Sequence, residues 1–298
     1  MLKAERDCSQ PAKVEMKVEH LAQLEEQLAK EHQLPLSSYR DGCIKRRLSA
    51  RIQSLGLKSL SQYLDLLKNN PQEEKKLIDS LTISVTSFFR DPETFRQIAE
   101  KVVPVLLGPK RKPDPQIQLW SAGCSTGEEA YSLAITFVEA LPDKASAETI
   151  RILATDIDEQ AVQQASKGVY SRDRLKNLNR SLIRKYFVAR GESCEVKPEL
   201  KSRIAFRREN LLAPEFVGFK EMDLIMCRNL LIYLQQEEQA RILGNFERSL
   251  RGCGYLVLGK TEFLPDPYRS RFEHISSAER IFRKIKETGA RAYTGGIG

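Results

Sequence analysis

Asp156 ends an apolar run, Ile152-Leu153-Ala154-Thr155, about thirty residues after a loop of small residues, Ser121-Ala122-Gly123-Cys124-Ser125-Thr126-Gly127, which opens onto two acids, Glu128 and Glu129. An apolar run, a loop of small residues and a helical pattern imply strand, turn and helix, with backbone amides bared where no side chain blocks approach. An acid at the end of the next strand would then meet a ribose. The loop is not G-x-G-x-x-G and has no Gly-Lys-Ser/Thr, so a polyphosphate is disfavoured. The acids stand where a phosphate would sit at a helix N-terminus, which suits a ligand carrying positive charge and hydroxyls. S-adenosylmethionine is such a ligand. Taken alone, the loop is equally well explained as a tight strand-to-helix turn.

The elements that must hold these residues follow from periodicity. Ile117-Gln118-Leu119-Trp120 predicts a first strand, Leu133, Ile135, Phe137, Val138 and Leu141 continue the helix after the loop, and Ile150 to Asp156 is a second strand, giving a β-α-β unit. Further strands are expected at 204–206, 223–227 and 255–258, and residues 272–275 and 280–285 pair as a terminal hairpin. Residues 185–196, centred on Gly191, read as a short hairpin inserted into the alternation. Upstream, Val14, Val18, Leu21, Leu24 and Leu28 form one helical stripe closed by Leu34-Pro35, and a basic helix runs from about Arg40 to Leu55. Leu60, Leu64 and Leu67 suggest a third helix, and Leu77, Ile78 and Leu81 a fourth after Pro71. Pro104 and the run 108–115 are expected to break structure between the two halves.

Other blocks flank the loop. Thr86-Ser87-Phe88-Phe89-Arg90-Asp91 precedes it, and Glu209-Asn210-Leu211-Leu212 follows. Then comes Asp223-Leu224-Ile225-Met226-Cys227-Arg228-Asn229-Leu230-Leu231-Ile232-Tyr233. In this order the chain resembles the chemotaxis receptor methyltransferase family usually called CheR, from about residue 15 to residue 285. The resemblance implies a Rossmann-like class I methyltransferase α/β sheet with an antiparallel edge, a small inserted β-subdomain at about 183–200, and an N-terminal all-α domain. It divides the chain into a helical domain at 1–83, a connecting segment at 84–110 and a methyltransferase domain at 111–290, with a disordered tail at 287–298. It also implies the reaction: methylation of receptor glutamates from S-adenosylmethionine, giving glutamate 5-O-methyl esters.

The resemblance assigns residues one by one. Ser84, Thr86, Arg90, Glu128, Asp156, Asn210, Leu211, Arg228 and Asn229 would line the cofactor site, with Asp156 on the ribose. Arg90 would bind either the cofactor's carboxylate or the incoming glutamate, and is placed close to the reacting centre. Tyr233 would lie near the methyl donor, its ring toward the sulfonium or its hydroxyl toward the acceptor; core packing is the competing explanation. Arg46, Arg47 and Arg51 on the basic helix would dock the acidic receptor helix. This chain departs from the family pattern at Ala130, at Ser84 and at Lys260-Thr261-Glu262. Of these only Ser84 touches the site, where a serine has less reach than the usual asparagine.

Composition narrows the alternatives. Two domains suit 298 residues. No apolar stretch approaches the roughly 20 residues of a membrane span, and the Lys- and Glu-rich start has no signal-peptide core, so a cytoplasmic protein is expected. Six dispersed cysteines without C-x-x-C, and three histidines, leave no zinc pattern, so no metal is expected. Cys124 and Cys227 read as buried thiols. A net charge of +8 suits nucleic acid or an acidic protein, but the basic residues cluster and no RNA-binding aromatic signature accompanies them, which favours the acidic protein. The rival readings are a methyltransferase with an RNA or small-molecule acceptor, and a catalytically silent scaffold. Cys227-Arg228-Asn229-Leu230 stands where base-acting enzymes often carry an Asn-Pro-Pro-Tyr-like turn, which weighs against the first. Arg90, Asp156 and Tyr233 together weigh against the second.

Overall fold

A computed structural model describes residues 14–82, 85–108, 116–141 and 149–286, and the chain divides into two compact units, 1–83 and 84–298. Ser84, the expected break at 109–115 and the tail at 287–298 lie outside the described residues. Among the described residues no helix is long and apolar enough to cross a membrane.

The first unit is built from α1 (Val18–His32), α2 (Asp41–Ser54), α3 (Leu60–Leu67) and α4 (Pro71–Leu81). Its helix starts are written locally. The Ser59 hydroxyl accepts from the Gln62 N–H, and Asn70 accepts from the Glu73 N–H with Pro71 in the first turn, satisfying donors that a helix N-terminus leaves open. Leu24, Leu28, Leu48, Ile52, Leu60, Tyr63 and Leu77 are fully buried. The predicted stripe on α1 begins one turn later than expected, because Glu15 instead forms an extended, parallel bridge to Ser59.

The second unit begins with α5 (Pro92–Gln97), a wider π-type turn over Ile98–Val102, and α6 (Val103–Leu106). Pro104 does not end this helix; it sits in the first turn of α6. A proline has no N–H and crowds the carbonyl of the preceding turn, and the widened turn before it relieves that clash.

The strands are β1 (Ile117–Ala122), β2 (Ile150–Asp156), β3 (Val169–Ser171), β4 (Phe187–Arg190), β5 (Ser193–Val196), β6 (Ile204–Arg208), β7 (Met222–Cys227), β8 (Leu250–Leu258), β9 (Phe272–Ser276) and β10 (Ile281–Lys284). Between them lie α7 (Glu128–Glu139), α8 (Glu159–Lys167), α9 (Arg180–Tyr186), α10 (Pro198–Lys201) and α11 (Gln236–Ser249). The main sheet has the order β6-β2-β1-β7-β8-β10-β9. Its first five strands are parallel, and β10 is antiparallel to both β8 and β9, as the terminal hairpin required. Alternation along β1 sends Leu119 to the core shared with α7 and turns Trp120 edge-on to Phe246 of α11, at 5.1 Å, so helices cover both faces. The expected hairpin at 185–196 is β4 and β5. A third strand, β3, joins it from upstream to make a three-stranded antiparallel sheet.

Chain order reverses between β1 and β7. In open α/β sheets that switch point leaves a crevice at the strands' carboxyl ends.

Candidate active site

Four loops meet at this end of the sheet, those after β1, β2, β6 and β7. The loop after β1 is tied to β2 through its backbone: the Gly123 and Cys124 N–H groups both donate to the Thr155 carbonyl, at 2.8 and 2.9 Å. Gly127 caps α7 at φ 92°, and a Cβ there would lie 2.7 Å from the Ala165 Cβ, so a side chain is excluded both by conformation and by space. At the end of β2, Asp156 accepts from the Ser125 N–H at 2.7 Å with one oxygen and from the Asp158 N–H at 3.0 Å with the other. Burial raises its carboxyl above the usual range against the pull of those amides. The Asp156 carbonyl receives the Glu209 N–H, which brings the loop after β6 alongside; there the half-buried Asn210 side chain accepts from the Leu212 N–H two residues on, and Leu211 is buried.

The segment before α5 reaches the same place. Arg90 stands between Phe89 (φ 48°) and Asp91 (φ 56°), both left-handed, and Ser125 (φ 49°) and Asn229 (φ 60°) adopt the same conformation. Among the described residues these are four of seven non-glycine residues with positive φ, so strained backbone concentrates in the loops that converge here. The strain is held by specific bonds. Phe89 N–H donates to the Ser132 hydroxyl of α7 at 2.8 Å, and the buried Arg228 guanidinium donates to the Arg90 carbonyl at 2.9 Å and pairs with Asp91. Arg90 itself donates Nη1 to the Val85 carbonyl.

Glu262 holds the fourth loop. One oxygen accepts from the Gly259 and Asn229 N–H groups at 2.6 and 3.0 Å, the other from Leu231 N–H at 2.7 Å. Burial raises this carboxyl, and the four amides of Gly259, Asn229, Leu231 and Ile232 oppose the rise. The loop so anchored carries Arg228, Asn229 and, in a short 3-10 turn, Tyr233. The sequence motif ends on Tyr233 but contains no hint of its anchor, which lies about thirty residues downstream.

The two acids of the first loop part company. Glu128, expected in the cofactor site, is fully buried; it accepts from the Thr126 hydroxyl at 2.6 Å and pairs with Arg174 at 2.8 Å. Glu129 keeps 12% of its side chain exposed, accepts from the Ser121 hydroxyl at 2.8 Å and lies 3.8 Å from Arg228. Burial pushes its carboxyl up to about 7, with Arg228 the main force opposing. A helix turns by about 100° per residue, so adjacent acids face different neighbours. The second acid is the one that shares its surroundings with Arg228, Glu262 and Arg90.

Burial also pushes the Cys124 and Cys227 thiols well up, so both are the inert buried thiols expected. Three side-chain atoms at the site are buried without a protein partner: Ser125 Oγ, Arg228 Nε and Asn229 Oδ1. Buried polar groups are rarely left unpaired, so these three are candidates to meet ligand atoms. Donors, acceptors and carboxylates of this kind fit a hydroxylated, cationic ligand such as S-adenosylmethionine. The sequence points to both Glu128 and Glu129 but assigns only Glu128 to the site, and it gives Ser125 and Glu262 no place there; left-handed geometry, helix phase and burial bring these residues forward.

The basic helix divides in a similar way. Arg51 makes a bidentate pair with the buried Glu73, at 2.5 and 2.6 Å, joined by the Tyr63 hydroxyl at 2.9 Å. Arg47 donates to the Ser80 and Leu81 carbonyls at the end of α4. Of the three predicted docking residues, Arg46 alone is exposed, beside Lys45.

Comparison with known proteins agrees with the fold. Residues 84–281 match the model of the CheR methyltransferase SAM binding domain, and residues 19–82 match that of the CheR methyltransferase all-alpha domain. The chemotaxis protein methyltransferase of Escherichia coli is 34% identical over 76% of this chain and 78% of its own length. The chemotaxis protein methyltransferase 2 of Pseudomonas aeruginosa is 33% identical over 82% of this chain and 86% of its own. An uncharacterized 104.1 kDa protein of Rhodobacter capsulatus is 34% identical over 91% of this chain, which spans only 28% of that protein. The two family models, matched in their order along the chain, lead to one conclusion: the chain belongs to the CheR family of S-adenosylmethionine-dependent methyltransferases.

Proposed function

We propose that this enzyme transfers a methyl group to the side-chain carboxylate of glutamates in the cytoplasmic domain of a chemotaxis receptor, forming a glutamate 5-O-methyl ester. The observation that carries the reading is the site's inventory: carboxylates and one arginine with strained flanks, and no imidazole, since the three histidines stand at 20, 32 and 274. A glutamate with a reference pKa near 4.3 is already ionised at neutral pH and needs no general base. S-adenosylmethionine, when bound, supplies an electrophilic methyl group. The chain's task is to orient and partly desolvate the acceptor, and orientation of that kind contributes on the order of 7 to 11 kcal/mol in favourable systems.

In this reading Asp156 holds the ribose hydroxyls, Glu129 takes the place expected for Glu128 and receives the ligand's ammonium, and Ser125 Oγ and Asn229 Oδ1 complete the polar wall. Thr86, Asn210 and Leu211 line the approach, with Ser84 beside them in the chain. Arg90 orients the acceptor carboxylate, Tyr233 stands near the methyl donor, and Arg228 acts chiefly by fixing the Arg90 and Asp91 backbone. Arg46 contributes to docking an acidic receptor helix, whereas Arg47 and Arg51 serve the fold of their own unit. The substrate places the enzyme in the cytoplasm, with no role for nucleic acid and none for a metal. The domain division follows the same reading: 1–83 helical, 84–110 connecting, 111–290 methyltransferase.

The test is transfer of labelled methyl from S-adenosylmethionine to a receptor cytoplasmic fragment, followed by mild alkali. Volatile labelled methanol is the expected product. A base-stable label, or no transfer by a chain that binds the cofactor, would overturn the carboxyl-methylation reading.

A further inference from the structure

The segment that presents Arg90 is gripped from the side of the inserted sheet. Phe88 is fully buried and packs edge-on against Tyr170 of β3 at 4.9 Å and Phe187 of β4 at 5.5 Å. Asn177 Nδ2 approaches the Phe88 carbonyl at 3.5 Å, and the Tyr170 hydroxyl donates to the Thr126 carbonyl at 2.7 Å, so the same subdomain touches the loop after β1. At the centre is Arg174, on the short turn Arg172–Leu175 that follows β3. Its Nη1 donates both to the Thr86 carbonyl, at 3.2 Å, and to Glu128 Oε1, at 2.8 Å.

Glu128 has no solvent contact, and its other oxygen accepts from Thr126. A carboxylate so buried needs a countercharge, and Arg174 is the cation paired with it. The guanidinium thereby joins three pieces that are distant in sequence: the inserted subdomain, the first turn of α7 and the backbone four residues before Arg90. We propose that Arg174 is a positioning residue for methyl transfer, using the buried Glu128 as a fixed post from which it holds the Thr86 carbonyl and so sets where Arg90 stands. This rests on the reading that Arg90 acts at the reacting centre. It also gives Glu128 a task other than ligand binding.

A structural role alone predicts something different, which makes the proposal testable. Arg174→Met leaves Glu128 buried without its cation and is expected to lower thermal stability. Adding Glu128→Gln removes that charge, so the double variant should recover most of the melting temperature while the Thr86 carbonyl stays unheld. In the double variant of the full chain, the Phe89 and Arg90 amides should exchange with solvent about tenfold faster than in the wild type. Single-turnover transfer to the receptor fragment should fall by about tenfold or more, because sub-ångström misplacement is costly in rate. Recovery of rate and protection together with stability would reduce Arg174 to charge neutralisation and overturn the proposal. So would an Arg174→Met chain that transfers and exchanges like the wild type. Should the double variant not fold, Arg174→Lys keeps the charge on a shorter stem without the planar fork; a folded protein with reduced rate is expected, and wild-type rate would contradict the assignment. If the wild-type chain transfers no methyl to any receptor fragment, the functional reading falls, and amide exchange in the same variants still decides whether Arg174 fixes the segment.

Discussion

Helix α2 of the first unit and helix α7 of the second pose the same problem and solve it in opposite directions. On α2 a run of basic residues looks like an exposed patch, yet Arg47 and Arg51 turn inward to α4 and Glu73, and Arg46 stays outside. On α7 two acids look like one ligand-facing pair, yet Glu128 turns inward to Arg174 and Glu129 stands beside Arg228. In both helices one step along the chain decides between holding the fold and meeting a partner. Apolar periodicity fixes which face of a helix is buried, but a long charged side chain at the edge of that face can go either way.

The largest expected effect is at Arg51. Arg51→Ala leaves Glu73 buried without its partner and should destabilise the helical unit by about 3 to 5 kcal/mol, measured by urea unfolding. Arg46→Ala should stay within about 0.5 kcal/mol of wild type. The sign with pH follows: Arg51 holds the Glu73 carboxyl below the usual range, so the pair's contribution is present above the ordinary glutamate pKa and is lost as pH falls through the lowered value. Equal losses at Arg46 and Arg51 would erase the distinction drawn on α2.

On the ligand side, Asp156→Ala should weaken S-adenosylhomocysteine binding by about 2 to 3 kcal/mol, roughly 30- to 150-fold, with the fold intact by circular dichroism. Unchanged affinity in calorimetry would refute the ribose assignment. Glu129 sharpens the comparison through pH. Its carboxyl sits near 7, and a cationic ligand group favours its ionised form, so affinity should fall as pH drops below about 7 and the dependence should vanish in Glu129→Gln. The stability effect has the opposite sense. The raised value means the protonated form suits the fold, so Glu129's contribution is full below 4.5, its ordinary value, and is lost as pH rises through about 7. Glu129→Gln should therefore melt higher than wild type at pH 8 and nearly level with it at pH 5. The smallest effect is ionic: raising salt should raise KM for receptor more than it lowers kcat, and Arg46→Ala should flatten that slope.

Much of the architecture was legible. Strands ending at Asp156 and Cys227, the helix after Gly127 and the terminal hairpin follow from period, punctuation and length, and all stand close to where the pattern put them. What escaped depends on contacts between residues far apart in the chain. β3 is three residues long and pairs only because β5 offers an edge. Glu262 acts on backbone amides some thirty residues upstream, and Arg174 reaches back to Thr86. Pro104 reads as a breaker in one dimension, and a widened turn absorbs it in three. Of the residues expected at the ligand, Asp156 accepts from a loop amide and Asn229 Oδ1 has no protein partner, whereas Glu128 pairs with Arg174 and Arg228 donates to the Arg90 carbonyl.

The most direct test of the inward and outward acids is calorimetric titration of S-adenosylhomocysteine into Glu128→Gln and Glu129→Gln at pH 8. The account predicts that Glu129→Gln loses about tenfold or more in affinity with its melting temperature preserved or raised, while Glu128→Gln keeps affinity closer to wild type. A greater loss of affinity at Glu128 than at Glu129 would contradict it.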